Sequence, residues 1–235
     1  MASSFSFTWL GHGTFLFESP GGKKIVLDPW IAGNPASPES AKKLGNLDLI
    51  LVTHGHNDHT GDVIPLARSS GAQVVAPVEL GDWLAGRGLK NVTGMNIGGT
   101  FKTLGLAITM VPAMHSSSIT TPEGTAIYTG HATGYVITFE NSLTVYFAGD
   151  TSVFGDMRLI AELYRPTIAF LPIGDHYTMG PEQAAKACEL LGIRQVVPMH
   201  YATFPVLTGT PARLRELVEP RGVQVLELKP GESAS

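Results

Sequence analysis

"ILVTHGHNDHTGD", residues 50–62, decides how the rest of the chain is read: an apolar run stops, and three histidines and two aspartates follow within nine residues. The run starts a little earlier, in "LDLILVT", whose near-continuous apolar residues predict a strand covered on both faces. His54, His56, Asp58 and His59 then form an HxHxDH array. Imidazole nitrogen and carboxylate oxygen are the donors expected around zinc, iron or manganese, and at the end of one strand a tight turn is enough to bring them together. Two histidines two apart can serve one cation while the following Asp-His pair faces a second. A competing reading makes Asp58 or Thr60 the N-cap of a helix in "GDVIPLARSS". Capping employs one residue and leaves three histidines without a role.

Outward from this stretch the same arrangement recurs. An apolar strand delivers a histidine or aspartate in "VPAM" before His115, "VYFAG" before Asp150, "FLPIG" before Asp175 and His176, and "VVPM" before His200. Loops leaving strand ends carry function because the core fixes the strand while the loop stays free to vary, so five such ends pointing one way would make one site. The elements around them suggest how that happens. "FSFTWL", "TFLFES" and "KIVLDP", separated by turn residues, read as an antiparallel meander. Strand and helix patterns alternate in "QVVAP" with "VELGDWLAGRG", and later in "MRLIAELY", "IAFLPIG", "GPEQAAKACELLG", "QVVPMH", "TPARLRELVE" and "VQVLEL", with strands in "FKTLGLAITMVPAM", "TGYVITFE" and "LTVYFAGD" between. Meanders followed by alternation predict an α/β fold of stacked sheets with helices on their outer faces. No repeat, low-complexity segment or linker divides the chain, so residues 1–235 are expected to form a single domain.

Composition narrows the function classes. A hydrophobic content of 43% with 15% charged residues describes a globular chain with a sizeable core. The formal net charge of −4 gives no electrostatic footprint for nucleic acid or an anionic membrane, and the pairs Lys23-Lys24 and Lys42-Lys43 read as solvated turns. The start, "MASSFSFTWLGHG", has neither a basic leader region nor a long apolar one, and no apolar run is long enough to span a bilayer, so a cytoplasmic protein is expected. The lone cysteine, Cys188, lies in a helical pattern and reads as a buried structural thiol.

"THGHNDHTGD", His115, the "FAGDT" Asp150 and the "PMHY" His200 resemble, in order and spacing, the metal-binding motifs of the metallo-β-lactamase superfamily. "WLGHGTFLFE", "LDPW", "YFAGDTSVFGDM", "LPIGDHYTMGPEQAA" and "VVPMHYATFP" look like its lactonase-like branch, which contains ascorbate-6-phosphate lactonase and metal-dependent hydrolases. The resemblance runs from about Phe5 to Val225. It implies a four-layer αββα sandwich of metallo-β-lactamase type with two divalent metal ions, zinc or manganese first and iron third. His54, His56 and His115 would hold the first, Asp58, His59 and His200 the second, and Asp150 would bridge them. Water between two such cations ionises near neutral pH, and the same cations polarise the substrate oxygen. Metal-dependent hydrolysis of a small ester, lactone or phosphate-bearing metabolite is therefore expected. A phosphodiesterase or nuclease, iron redox chemistry and a non-catalytic metal-binding or sensing protein are the other readings, and a homo-oligomer is open.

Asp58, His12 and His176 are the candidate catalytic residues, the two histidines as donors of the leaving-group proton. His12 would touch substrate, support the metal shell or make a core hydrogen bond. His131, in "YTGHATGY", fits a surface loop at least as well as a site. Asp28 would orient a ligand histidine or cap the turn before Pro29. Tyr201 and Phe204 would line a wall or pack, and Gly149 would allow a close backbone approach to the metals or serve a plain turn.

Overall fold

The computed structural model describes residues 4–235; the first three residues, part of the stretch read for a leader, lie outside them. In the first half, β1 (Ser6–Trp9), β2 (Phe15–Glu18) and β3 (Lys24–Leu27) form the expected meander. Next come β4 (Leu49–Leu51), a single helical turn α1 (Asn57–Thr60), α2 (Val63–Ser70), β5 (Gln73–Pro77), α3 (Val78–Gly86) and β6 (Val92–Met95). The second half opens with the hairpin β7 (Thr100–Thr103) and β8 (Leu106–Pro112), then a small hairpin of β9 (Ser118–Thr120) and β10 (Ala126–Tyr128). It continues through β11 (Thr133–Thr138), β12 (Thr144–Phe147), α4 (Met157–Tyr164), β13 (Ile168–Pro172), α5 (Pro181–Leu191), β14 (Gln195–Met199), α6 (Pro211–Val218), β15 (Gln224–Val225) and β16 (Ser233–Ala234).

Among the described residues the strands make two seven-stranded sheets, ordered β16-β1-β2-β3-β4-β5-β6 and β15-β14-β13-β12-β11-β8-β7. Side-chain alternation assigns the layers. In β3 and β4, Ile25, Leu27, Leu49 and Leu51 turn toward the second sheet, while Val26 and Ile50 turn the other way, onto Val63 and Ala67 of α2 and Leu80 and Leu84 of α3. On the far side, α4, α5 and α6 pack through Met157, Ile160, Ala184, Cys188, Leu191, Leu214 and Val218. The order is helix, sheet, sheet, helix, as the sequence implies. Phe15, Phe17, Phe147 and Phe170 meet between the sheets, mostly edge to face, and burying each ring contributes roughly 1.5–3 kcal/mol.

Register puts the functional ends together. β1 and β3 both run antiparallel to β2, and β3, β4 and β5 are parallel, so the chain leaves β1, β3 and β4 at one edge of the first sheet. In the second sheet β8 and β12 both run antiparallel to β11, and β12, β13 and β14 are parallel. Their C-terminal ends also share an edge. Buried hydrogen bonds join the two edges: the Tyr135 hydroxyl donates to the Val52 carbonyl at 2.7 Å, and the Thr133 hydroxyl to the Thr53 carbonyl at 2.8 Å.

Sequence and structure part at a few elements. "FKTLGLAITMVPAM" is two strands, because Leu104 and Gly105 take positive φ and turn the chain back on itself. "VQVLEL" pairs only over Gln224 and Val225. β6, the β9–β10 hairpin and β16 carry no apolar alternation that would announce them; β16 exists because β1 leaves an edge to which it can pair. The capping reading is not realised: α2 starts at Val63, preceded by Asp62, whose carboxylate instead accepts the backbone N–H groups of Ile31 and Ala32.

Candidate metal centre

His12 follows β1, Asp28 follows β3, and His54, His56, Asp58 and His59 follow β4; His115, Asp150 and His200 follow β8, β12 and β14. The backbone is bent hard to achieve this. His12, Asp28, His200 and Ala202 have φ of 56°, 46°, 55° and 58°, a left-handed conformation that costs a non-glycine residue about 1–3 kcal/mol and persists only where the surroundings enforce it. Two glycines allow close passage. A Cβ on Gly55, between the first two histidines, would fall 2.1 Å from the Thr129 hydroxyl. On Gly149, at φ 61°, it would fall 2.8 Å from the Thr133 carbonyl and from Thr53 Cβ. The close approach expected at Gly149 is therefore to Thr53 and Thr133, at the seam between the sheets.

Three groups of donors result among the described residues: His54, His56 and His115; His12, Asp58, His59 and His200; and Asp28, His54 and His59, the last sharing its histidines with the first two. In the first, His56 Nδ1 lies 3.1 Å from His54 Nε2 and 3.3 Å from His115 Nε2. Asp150 sits between the first two groups: its Oδ2 is 3.1 Å from His200 Nε2, 3.3 Å from His59 Nε2, 3.6 Å from His115 Nε2 and 3.9 Å from His54 Nε2. All seven residues expected as metal ligands are thus in one cluster.

Second contacts set which atoms face inward. Asp28 is fully buried and its Oδ2 accepts from His59 Nδ1 at 2.9 Å, which turns His59 Nε2 toward Asp150. The Thr53 hydroxyl donates to Asp28 Oδ2 at 2.6 Å; having spent its proton there, it accepts from His54 Nδ1 at 2.9 Å and leaves the unprotonated His54 Nε2 lone pair facing the cluster. His12 Nε2 donates to Asp58 Oδ2 at 3.0 Å, and Thr203 holds its Nδ1 at 2.9 Å. Asp28 is an orienting carboxylate and no turn cap; Thr53 escaped the sequence reading, since a threonine between an apolar run and a histidine carries no signal of its own.

The electrostatics divide the histidines by their carboxylate contacts, and burial takes His12 down to about 4 in spite of Asp58. Burial holds His54, His56 and His115 below the ordinary histidine range, so they present neutral lone pairs. Burial opposes charge on His200 too, but the Asp150 carboxylate outweighs it and lifts His200 to about 9. His59 is raised well above its usual value in the same way, against its own burial, by Asp150 and Asp28. Burial would raise Asp150; the charges of His200 and His59 instead hold it well below the carboxylate range.

Whether cations fit can be judged from the atoms left over. His59 Nε2, Asp150 Oδ1 and both ring nitrogens of His200 are buried without a hydrogen-bond partner, although carboxylate oxygens lie close by. Buried polar atoms of that kind carry a desolvation cost unless something binds them. The 3.1 and 3.3 Å separations in the first group also match donors shared by one small cation, roughly 3.3 Å for tetrahedral ligands about 2.0–2.1 Å from zinc. The donor set fits divalent metal ions.

Over the cluster lies a cavity of about 470 Å³, walled by Trp30, Phe204 and Tyr177, with Asn57, Ser116 and the Tyr177 hydroxyl among its uncharged polar groups. His12 is fully buried behind Asp58, and His176 is exposed, its ring set edge-on to Tyr177; neither lines the cavity. The structure thus puts Tyr177 on the cavity wall in place of its neighbour His176 and gives His12 a supporting place through its hydrogen bond to Asp58. His131 is an exposed loop residue. Tyr201 is buried and stacks on Trp9 at 5.1 Å, leaving Phe204 alone of the two on the wall.

Residues 23–201 match the family described as "Beta-lactamase superfamily domain". The chain belongs to the beta-lactamase superfamily. Within the superfamily it is 51% identical over 228 residues, 97% of each chain, to a UPF0173 metal-dependent hydrolase of Koribacter versatilis. It is 50% identical over 227 residues to another of that name from Rubrobacter xylanophilus, covering 96% of this chain and 94% of the relative. Among solved structures, Igni18, a metallo hydrolase from the hyperthermophilic archaeon Ignicoccus hospitalis, superposes with a TM-score of 0.88 at 39% identity, over 98% of this chain and 97% of its own. The superfamily's metallo-β-lactamase fold is the architecture found here, and the enzyme class expected from the motifs is the one its relatives are named for.

Proposed function

We propose that this protein is a hydrolase that works with two divalent cations, zinc or manganese before iron, on a small ester, lactone or phosphate-bearing molecule. The observation that carries the reading is the place of Asp150 Oδ2 between two groups of donors, within 3.1–3.9 Å of a histidine nitrogen from each. Cations bound there would supply activated water and polarise the substrate oxygen.

The chain's own residues do the rest. His54, His56 and His115, kept neutral by burial, would offer three nitrogens to one ion, and Asp58, His59 and His200 would hold the other. Asp28 and Thr53 fix the rings so that attack geometry is set before substrate arrives; against burial, the charge of His59 and, behind it, the hydrogen bond from His12 hold the Asp58 carboxylate ionised, and His12 keeps it in place. The leaving group needs a proton, and the cavity-lining side chains that carry one on a hydroxyl are Tyr177 and Ser116.

Metal analysis of the purified protein, with and without Asp150→Ala, tests the reading. We expect about two equivalents per chain in the parent, and loss of both metal and hydrolysis of activated esters in the variant. A variant that keeps its hydrolytic rate would remove the basis for the two-metal arrangement.

A further inference from the structure

We infer that, given the hydrolase reading above, the Tyr177 hydroxyl gives its proton to the oxygen leaving the substrate, and that Ser116, the other hydroxyl on the cavity wall, serves His56 instead.

The chemistry of the cavity wall is the first argument. Of the lining residues, His56, Asp58, His115, Asp150 and His200 are expected metal ligands, whose donor atoms the cations would take up. Trp30 and Asn57 carry N–H groups that make hydrogen bonds without giving up the proton, and the Phe204 side chain has no such group. His12, fully buried behind Asp58, and the exposed His176 both lie off the cavity. Two hydroxyls remain. Ser116 Oγ stands 3.4 Å from His56 Nε2. Since Nδ1 is the His56 nitrogen that meets His54 and His115, Nε2 holds the proton and donates it to Ser116, which thereby orients a ligand ring. Among the described residues the Tyr177 hydroxyl makes no hydrogen bond, and phenols as a class are far stronger acids than alkyl alcohols.

The backbone is the second. The loop after β13 that carries Tyr177 is tied to the segments bearing two of the expected ligands. The Met179 N–H donates to the carbonyl of Thr151, next to Asp150, at 3.0 Å, and the Ile173 N–H to the carbonyl of Met199, next to His200, also at 3.0 Å. Gly174 passes so close that a Cβ there would fall 2.1 Å from the His200 carbonyl oxygen. Within the loop, the Asp175 N–H donates to the Met179 carbonyl at 3.2 Å and the Tyr177 N–H to the Asp175 carbonyl at 2.6 Å. Asp175 and His176 hold φ of 65° and 58°, which non-glycine residues keep only where the surroundings enforce it. A proton donor works from a fixed place within reach of its acceptor, and this loop fixes Tyr177 relative to Asp150 and His200. Tyr177 is also 55% exposed, so water can reach it between turnovers.

For an ester, water oxygen bonds to the acyl carbon and the bond from that carbon to the alcohol oxygen breaks. The alcohol oxygen keeps the electron pair and takes the Tyr177 proton. The tyrosinate recovers a proton from the attacking water, whose other hydrogen stays with the acid product.

The test uses the full-length, zinc-loaded protein and three acetates of increasingly basic alcohols: 4-nitrophenyl, phenyl and ethyl acetate. Nitrophenolate leaves without a proton and ethoxide needs one. Tyr177→Phe keeps the ring and removes the hydroxyl. We expect it to lower kcat/KM about 100-fold for ethyl acetate, less for phenyl acetate and by no more than about threefold for the nitrophenyl ester, with bound metal per chain as in the parent. Ser116→Ala should lower all three by one common factor. Without turnover, calorimetry should show the product phenol bound roughly three- to tenfold more weakly by metal-loaded Tyr177→Phe than by the parent. Three results overturn the assignment and leave the hydrolase reading standing: a parent that cleaves only the nitrophenyl ester, an equal loss or none across the series in Tyr177→Phe, or phenol bound alike by both proteins. A leaving-group-dependent loss in Ser116→Ala overturns it too, in favour of the serine. No turnover of any of the three esters by parent protein carrying its metal sinks both.

Discussion

At Thr53 three hydrogen bonds meet that decide which face of two histidines looks at the cluster. Its backbone N–H donates to Asp28 Oδ1 at 2.7 Å, its hydroxyl to Asp28 Oδ2, and the same hydroxyl accepts from His54. Thr53→Val keeps the shape and removes both hydroxyl bonds, which frees His54 to rotate or change tautomer. Metal affinity should fall about 10–100-fold, as expected when the partner of a ligand histidine is lost. Competition against a chelator of known affinity measures it, and an unchanged dissociation constant would show that packing alone orients His54. His12 illustrates how much of this was legible beforehand. Its position after an apolar strand and before a glycine marks it as unusual, but its partners, Asp58 and Thr203, lie 46 and 191 residues away and neither is implied by local pattern.

Strand ends and helix faces are the next scale. The end of β12 passes so close to the first sheet that Gly149 has no room for a methyl group, and its φ of 61° disfavours one independently. Gly149→Ala should therefore destabilise the fold by roughly 2–4 kcal/mol, read as a lower urea midpoint with an unchanged slope. A midpoint equal to the parent's would mean that the two sheets can separate at this edge at little cost. On the other side of the molecule, α5 buries Cys188 against the second sheet, and that burial pushes the thiol up to about 12. Native protein should accordingly resist an alkylating reagent at pH 8 that labels it at once in denaturant; rapid native labelling would show that this face of α5 opens. Both helices and strands here follow the periodicity of the sequence closely, because local pattern suffices to specify an amphipathic helix. The short strands β9, β10 and β16 do not, because a two- or three-residue strand exists only by virtue of the edge it pairs with.

For the whole molecule, the donor cluster ties metal loading to stability and to pH. His200, held at about 9 by Asp150, is protonated at neutral pH without metal, and a protonated imidazole cannot ligate. Metal binding must displace that proton, and His59, raised in the same way, adds another, so apparent affinity should rise with pH through about 9, with proton release measurable in weakly buffered solution. Metal-free protein should behave oppositely: its raised His200 stabilises the fold fully below the ordinary histidine value of 6.5, and that contribution is lost as pH climbs through about 9. Affinity that falls across this range would contradict the charge state assigned to His200. At neutral pH, free metal at a hundred times its dissociation constant adds about 2.7 kcal/mol, so chelation should lower Tm by roughly 5–10 °C. An unchanged Tm would mean that the cluster does not hold metal in the folded chain.

What the sequence by itself determined is the set of donors and the end of the molecule at which they gather. Residue type fixes which atoms can ligate, and apolar strands that each finish in a histidine or aspartate fix where those atoms emerge. Tertiary structure alone decided which nitrogen of each ring faces inward, that His12 stands behind Asp58 while His176 stays outside, and that Trp30, Phe204 and Tyr177 shape the cavity. Those outcomes depend on contacts between segments tens to hundreds of residues apart, and on left-handed backbone turns that the surrounding core enforces. Neither leaves a mark in the short-range periodicity from which strands and helices are read.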